Sequence, residues 1–227
     1  MRYQEFEKTM SPYRMNRYLT ACGGNTKQAM TLYRLNLRLS QEMFTIISCF
    51  EVALRNSIDH HYLATIGIDW LKNAASPSGR FDNRGCRMTA AAINDVVHSL
   101  GANYAHGKVV AGLGFGVWRY LFAPHQYAAA GGSLLRIFPA KPRSTAMVQY
   151  NQSFVFNQLA QINEIRNRIA HHEPICFAPG LPVKDTTYAR QHYGLILQLF
   201  QWMSVDESAL LYGLDHINRV CSDIDAL

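Results

Sequence analysis

The chain has 227 residues, 48% of them hydrophobic, with 22 lysines and arginines against 16 acids and a formal net charge of +6. That is enough to bury a substantial core, as one domain or as one domain plus a helical appendage, and the composition fits a soluble helical protein. No apolar run approaches the ~18 residues of a membrane span, the N-terminus with Glu5 and Glu7 lacks a signal-peptide hydrophobic region, and Cys22, Cys49, Cys86, Cys176 and Cys221 are odd in number and scattered, which argues against a structural zinc site and for a reducing, cytoplasmic location.

In chain order, Ser11-Pro12 reads as the N-cap and first position of a helix that Gly23-Gly24 ends. A long helical segment follows from about 26 to 66, with a break expected near Ser40; Met43, Ile46, Ile47, Phe50, Leu54 and Ile58 recur at helical spacing along it. It carries Glu51-Val52-Ala53-Leu54-Arg55-Asn56, in which Glu51 and Arg55 are placed for an i, i+4 salt bridge of roughly 0.3–0.5 kcal/mol. Residues 73–87, with Ser76-Pro77-Ser78-Gly79, read as a basic, mobile loop. Helices are predicted at about 88–100, 115–122 and 125–130, with Gly131-Gly132 and the stretch from Pro139 to Pro142 as breaks. A long helix is predicted from about Ser144 to His171, and the last two at about 185–203 and 205–225. Pro174 to Pro182 marks the expected boundary between residues 1–175 and a C-terminal helical appendage, 176–227. With no internal repeat and no sustained strand alternation, the fold class expected is all-α, a helical bundle with long helices.

The richest stretch is Arg166-Asn167-Arg168-Ile169-Ala170-His171, followed by His172-Glu173-Pro174. An arginine forks onto phosphate oxygens, and a histidine titrates near neutral pH, so the pair suits phosphate chemistry without a metal or cofactor. On the wheel Val155, Leu159, Ile162, Ile165 and Ile169 make an apolar stripe, with Asn157, Glu164, Asn167 and His171 opposite. Asn167 and His171 share a face, while Arg166 and His171 are separated by roughly 140° and roughly 7.5 Å of rise, so they converge only through side-chain reach or a frayed last turn. Pro174 should stop the helix near 171–173 and loosen that turn. Arg166 falls inside the apolar stripe and so needs a carboxylate, an interface or a route to water; Glu51 is the carboxylate nominated.

The Arg-Asn-x-x-x-His run resembles the R-x4-6-H signature of HEPN domains, in particular of bacterial Abi-like (abortive infection) proteins of the AbiD/AbiF type. Three further stretches agree: Ala29-Met30-Thr31-Leu32-Tyr33-Arg34-Leu35-Asn36 is similar to an A-x-x-L-Y-x-x-N opening, Phe50 to Asn56 to an E-x-x-x-R-N helix, and Phe115 to Phe122 to an F-G-x-W-x-x-L-F element. The resemblance spans roughly residues 10 to 175. It implies a HEPN-like all-helical domain and, for active members, metal-independent RNA cleavage in a cleft where two HEPN helices face each other, hence a homodimer. Matched residue by residue, it makes Arg166, Asn167 and His171 the catalytic candidates, with Glu51, Arg55 and Asn56 supporting. Some HEPN proteins bind RNA without cutting it, so a non-catalytic module holding a regulatory RNA or an antitoxin is the alternative.

The charge is concentrated. Arg80, Arg84, Arg87, Lys108, Arg119, Arg136, Lys141 and Arg143 face only Asp82 and Asp95 between positions 80 and 143, while the rest of the chain balances. A basic centre beside a neutral scaffold suits a polyanion, and Arg80, Arg84, Arg87, Lys141 and Arg143 are the expected RNA contacts. His60-His61 and His171-His172 are poor metal pairs because neighbours on a helix point roughly 100° apart. The glycines at 112, 114 and 116 read as a tight turn rather than a nucleotide loop. Trp118, Tyr120 and Phe122 are expected in the core, with base stacking the lesser reading.

Overall fold

A computed structural model describes all residues, 1–227, and the fold is all-α. Twelve α-helices follow one another: α1 (Tyr3–Met10), α2 (Pro12–Ala21), α3 (Thr26–Thr65), α4 (Trp70–Ala75), α5 (Arg87–Leu100), α6 (His106–Gly112), α7 (Phe115–Tyr120), α8 (Pro124–Ala129), α9 (Gln152–Ala170), α10 (Thr187–Trp202), α11 (Glu207–Leu210) and α12 (Ile217–Asp225). The only β pairing is an isolated antiparallel bridge between Phe177 and Lys184. No helix is long and apolar enough to cross a membrane.

The residues group into two compact units. The first comprises Met1–Ser48, Glu164–Leu197 and Glu207–Leu227, the second Cys49–Asn163 and Gln198–Asp206. The boundary expected at 175/176 falls inside the first unit. There the segment after Pro174, read from sequence as the start of a C-terminal appendage, buries Ile175, Cys176 and Phe177 completely.

In the first unit α2 begins as predicted: the Ser11 hydroxyl accepts from Arg14 N–H, and Pro12 follows it at the first helical position. Tyr18 of α2 meets Tyr33 and Phe177 edge-on at 5.1 and 5.0 Å, aromatic pairs that add to the area they bury. Helix α3 has no break at Ser40. Its buried positions pass through Leu39 and Met43 without a change of period, and one continuous apolar stripe keeps the helix intact. Its hydroxyl residues stay helical by donating back to carbonyls four residues earlier, as Thr45 does to Gln41 and Ser48 to Phe44.

In the second unit the segment 76–86 is tethered rather than a free loop. Phe81 is buried and its N–H reaches Ala74 O at 2.8 Å, Asp82 accepts from Ser78 N–H, and Asn83 accepts from Cys86 N–H to open a 3₁₀ turn at Arg84–Cys86. Gly79 allows the close approach: a Cβ there would lie 2.3 Å from Asn73 O. Helix α9 starts at Gln152, not near Ser144. Ser144 and Thr145 hydroxyls take the N–H groups of Tyr150 and of Met147 and Val148, a competing local structure, and Asn151 caps the helix by accepting from Phe154 N–H. The single helix expected at 205–225 is two, because Gly213 at φ +72° breaks it.

Candidate functional site

The site is built at the C-terminal end of α9, inside the first unit. Val155, Leu159, Ile162 and Ile165 are fully buried and Ile169 is half-buried, whereas Asn157, Glu164, Asn167 and His171 are exposed, so the wheel's faces hold except that the stripe thins at the last turn. Arg166 is half-buried.

The last turn is not frayed. His171 N–H donates to Asn167 O at 2.9 Å, His172 N–H to Ile169 O at 2.9 Å, and Glu173 N–H to Arg168 O at 2.8 Å. The last two are the pair of bonds that close a helix whose next residue is left-handed, and His172 sits at φ +56°. A glycine or asparagine is the usual residue at such a position, because a Cβ is strained there. Here His172 is held from outside: Arg14 Nη1 donates to its carbonyl at 2.6 Å. Pro174 follows two residues later and its carbonyl accepts from Arg168 Nη2 at 2.9 Å. Arg168 also pairs with Glu173 at 3.4 Å and lies 4.6 Å over the Tyr188 ring. His171 is therefore presented by a tied turn, not re-aimed by a loose one.

The motif residue Asn36 has a structural duty. It is 4% exposed and its Oδ1 accepts from Ile175 N–H at 2.9 Å, fastening the chain just after the turn. Ala29, Leu32 and Tyr33 of the same stretch are buried on the same stripe. An asparagine in an otherwise apolar stripe is the signal by which sequence reading could have found this anchor.

Beside the turn lies a cavity of about 450 Å³, lined by Tyr13, Arg14, Arg17, Tyr18, His172 and Glu173 among others. It is large enough for a small ligand. Arg17 donates to Ala178 O and Leu181 O at 3.3 and 2.8 Å and stacks on Phe177 at 4.5 Å. Each of Arg14 and Arg17 keeps further N–H donors beyond these bonds. Tyr18 is buried, its hydroxyl has no partner, and burial pushes its pKa above the ordinary phenol range. Burial likewise pushes the Cys176 thiol up to about 12, so it is no nucleophile. Sequence reading missed Tyr13, Arg14 and Arg17; two arginines three apart on a capped helix announce a basic face, but not what it faces.

The remaining predicted residues are in the second unit. Glu51 and Arg55 are half-buried and Asn56 is exposed. The expected Glu51–Arg55 salt bridge does not form. Arg55 makes no ion pair or hydrogen bond, and its Nε is buried without a partner. Of the basic cluster, Arg84 and Arg87 line one cleft of about 570 Å³ together with Asn83 and Asn94. Arg80 turns elsewhere, its Nη1 reaching Ala129 O at 3.4 Å. Lys141 is half-buried and Arg143 exposed, on the segment before α9. Trp118 and Phe122 are core residues as expected, but Tyr120 is 45% exposed. The glycine turn is as predicted: Gly112 ends α6 and Gly114 precedes α7.

A site made of arginines, an amide and an imidazole, with no titratable carboxylate among its three central residues, can bind a phosphodiester, neutralise developing charge and move a proton. No protein-family model matches the chain, and no curated protein and no solved structure matches it.

Proposed function

We propose that the protein is a metal-independent endoribonuclease of the HEPN, Abi-like kind, acting on RNA as a homodimer in defence against phage. The observation that supports this reading is the tied end of α9, which presents exposed Asn167 and His171 in the turn after half-buried Arg166, next to a cavity rimmed by Arg14 and Arg17. In the mechanism, His171 activates the ribose 2′-OH or protonates the leaving 5′ oxygen, Arg166 neutralises the phosphorane-like transition state, and Asn167 orients the phosphate. Glu51, Arg55 and Asn56 take the supporting role that the resemblance gives them. Arg80, Arg84, Arg87, Lys141 and Arg143 hold flanking RNA.

Purified protein should cut RNA in the presence of EDTA, leaving a 2′,3′-cyclic phosphate and a 5′-OH, and should fail on a substrate with a 2′-deoxy nucleotide at the cut. His171→Ala and Arg166→Ala should each lower the rate by roughly 10² or more with helical content kept. Because His172 occupies a left-handed position, the proper control is His172→Asn, which suits that backbone and should cut at nearly the wild-type rate. Light scattering should give about twice the 25.7 kDa chain mass. Cleavage lost to chelation, or retained in full by His171→Ala, would return the protein to the alternative of a non-catalytic RNA or antitoxin binder.

A further inference from the structure

Arg119 and Tyr120 occupy the two outward positions of a segment whose other large side chains are all inside. Phe115, Trp118, Leu121 and Phe122 are buried to 1% or less, and Trp118 Nε1 donates to Leu113 O at 3.2 Å. Helix α7 is thus fixed by four apolar anchors. That anchoring holds Arg119 and Tyr120 to one place.

Around them stands a small aromatic and cationic cluster within the second unit. The Arg119 guanidinium lies 4.2 Å from the centroid of the Phe156 ring and 5.2 Å from that of Tyr120. The two rings meet edge-on at 5.5 Å and 69°. Tyr120 is 45% exposed, and Phe156 is half-buried near the start of α9. A ring edge against a ring leaves a face of each free to take a further planar group.

Arg119 differs from the other ring-stacked arginines. Arg17 stacks on Phe177 but also donates to two carbonyls, and Arg168 stacks on Tyr188 but also holds Pro174 O and Glu173. Arg34, over Phe6, is exposed and left to water. Arg119 is half-buried and makes no hydrogen bond and no ion pair, and its Nε is out of contact with solvent. A part-desolvated guanidinium with unmet donors is costly to keep. Its planar fork matches phosphate oxygens, and no oxygen of the protein takes their place.

We propose that Arg119, Tyr120 and Phe156 form a platform for one nucleotide of single-stranded RNA, its base stacked on the exposed ring and its phosphate on the Arg119 fork. Stacking is sequence-tolerant because every base has a π-face, and it requires an unpaired base, since bases in a duplex are already stacked. The charge is right: between positions 80 and 143, which include Arg119, eight basic residues face two acids. The choice of RNA as the ligand rests on the function proposed above, but the platform needs no cleavage.

The test uses the full chain carrying His171→Ala, so that nothing is cut, and a short fluorescein-labelled single-stranded RNA, with a second copy containing 2-aminopurine. Tyr120→Ala and Phe156→Ala should each weaken binding roughly tenfold and abolish the quenching of 2-aminopurine, with circular dichroism unchanged. Tyr120→Trp should keep both. Arg119→Lys should lose affinity as Tyr120→Ala does, because an ammonium cannot fork. The same RNA annealed to its complement should bind independently of Tyr120. Wild-type affinity and quenching in Tyr120→Ala overturn the platform while leaving the nuclease reading to stand on its own cleavage assay. Binding that depends on Tyr120, in a protein that never cuts, removes the nuclease and keeps the platform. Failure to bind single-stranded RNA at all, or displacement of it by poly-glutamate with no dependence on Tyr120, overturns the platform and points to an acidic protein partner.

Discussion

The half-buried arginines of the two units are used in opposite ways. In the first unit Arg14, Arg17, Arg168 and Arg190 each donate to carbonyl, carboxylate or hydroxyl oxygens of the same unit, and Arg190 alone joins Thr186, Asn218 and Asp225. In the second unit Arg55 and Arg119 meet no oxygen. The contrast separates arginines that hold loops and helix ends in place from arginines that make no hydrogen bond or ion pair with the protein. Net charge makes no such distinction, since both kinds count as +1.

Breaking the first kind should have the larger effect on stability. Arg168→Ala removes a carbonyl bond, an ion pair and a ring stacking at the turn that presents His171, and should cost about 2–3 kcal/mol. For a chain of this size that is a fall in Tm of roughly 2–4 °C per kcal/mol, readable by calorimetry. A melting temperature equal to wild type would show that the turn stands without its arginine.

The second kind should respond with the opposite sign. Arg55→Met replaces an unpartnered guanidinium by an apolar side chain of similar reach, and its urea midpoint should be unchanged or raised, by up to about 1 kcal/mol. RNA affinity should fall in the same variant. A loss of stability instead would mean that Arg55 serves the fold.

Arg84→Ala with Arg87→Ala sharpens the comparison on the surface. Both side chains are exposed and line the same cleft, so stability should move by no more than about 0.5 kcal/mol. The salt dependence of single-stranded RNA binding should flatten by roughly 0.7 for each phosphate that is no longer neutralised. Adding Arg80→Ala should change the slope less, because Arg80 already reaches Ala129 O; three equal steps would remove that distinction.

The smallest effect expected is on pH. Burial, and then the charge of Arg136, hold the His61 imidazole below its usual pKa, and its Nε2 lies 2.8 Å from the Ser133 hydroxyl. The unfolded chain, with an ordinary histidine near about 6.5, takes up the proton first as pH falls. The His61 contribution is therefore complete above that value, is lost as pH falls from it toward the lowered folded pKa, and changes no further below. His61→Asn should flatten this part of the stability profile, and an unchanged slope in urea titrations would assign the proton to another group.

Much of the architecture was legible in the chain itself. Ser11-Pro12, Gly23-Gly24 and the apolar stripes of α3 and α9 act over a few residues, through caps, left-handed glycines and periodic burial, and the helices stand where those signals place them. The errors have separate causes. The break at Ser40 is absent because Leu39 and Met43 bury the helix through it, and α9 starts late because the hydroxyls of Ser144 and Thr145 capture the N–H groups an earlier start would need.

The all-α class, most of the facing of the motif helix and the grouping of positive charge follow from the chain alone, because local spacing and composition carry all three. Tertiary packing settled that His172 takes the left-handed position with Arg14 on its carbonyl, that Asn36 fastens the chain behind the turn, and which half-buried arginines reach an oxygen of the protein. The first two depend on residues more than a hundred positions apart reaching hydrogen-bond distance, and no periodicity along the chain encodes which distant group a side chain will meet.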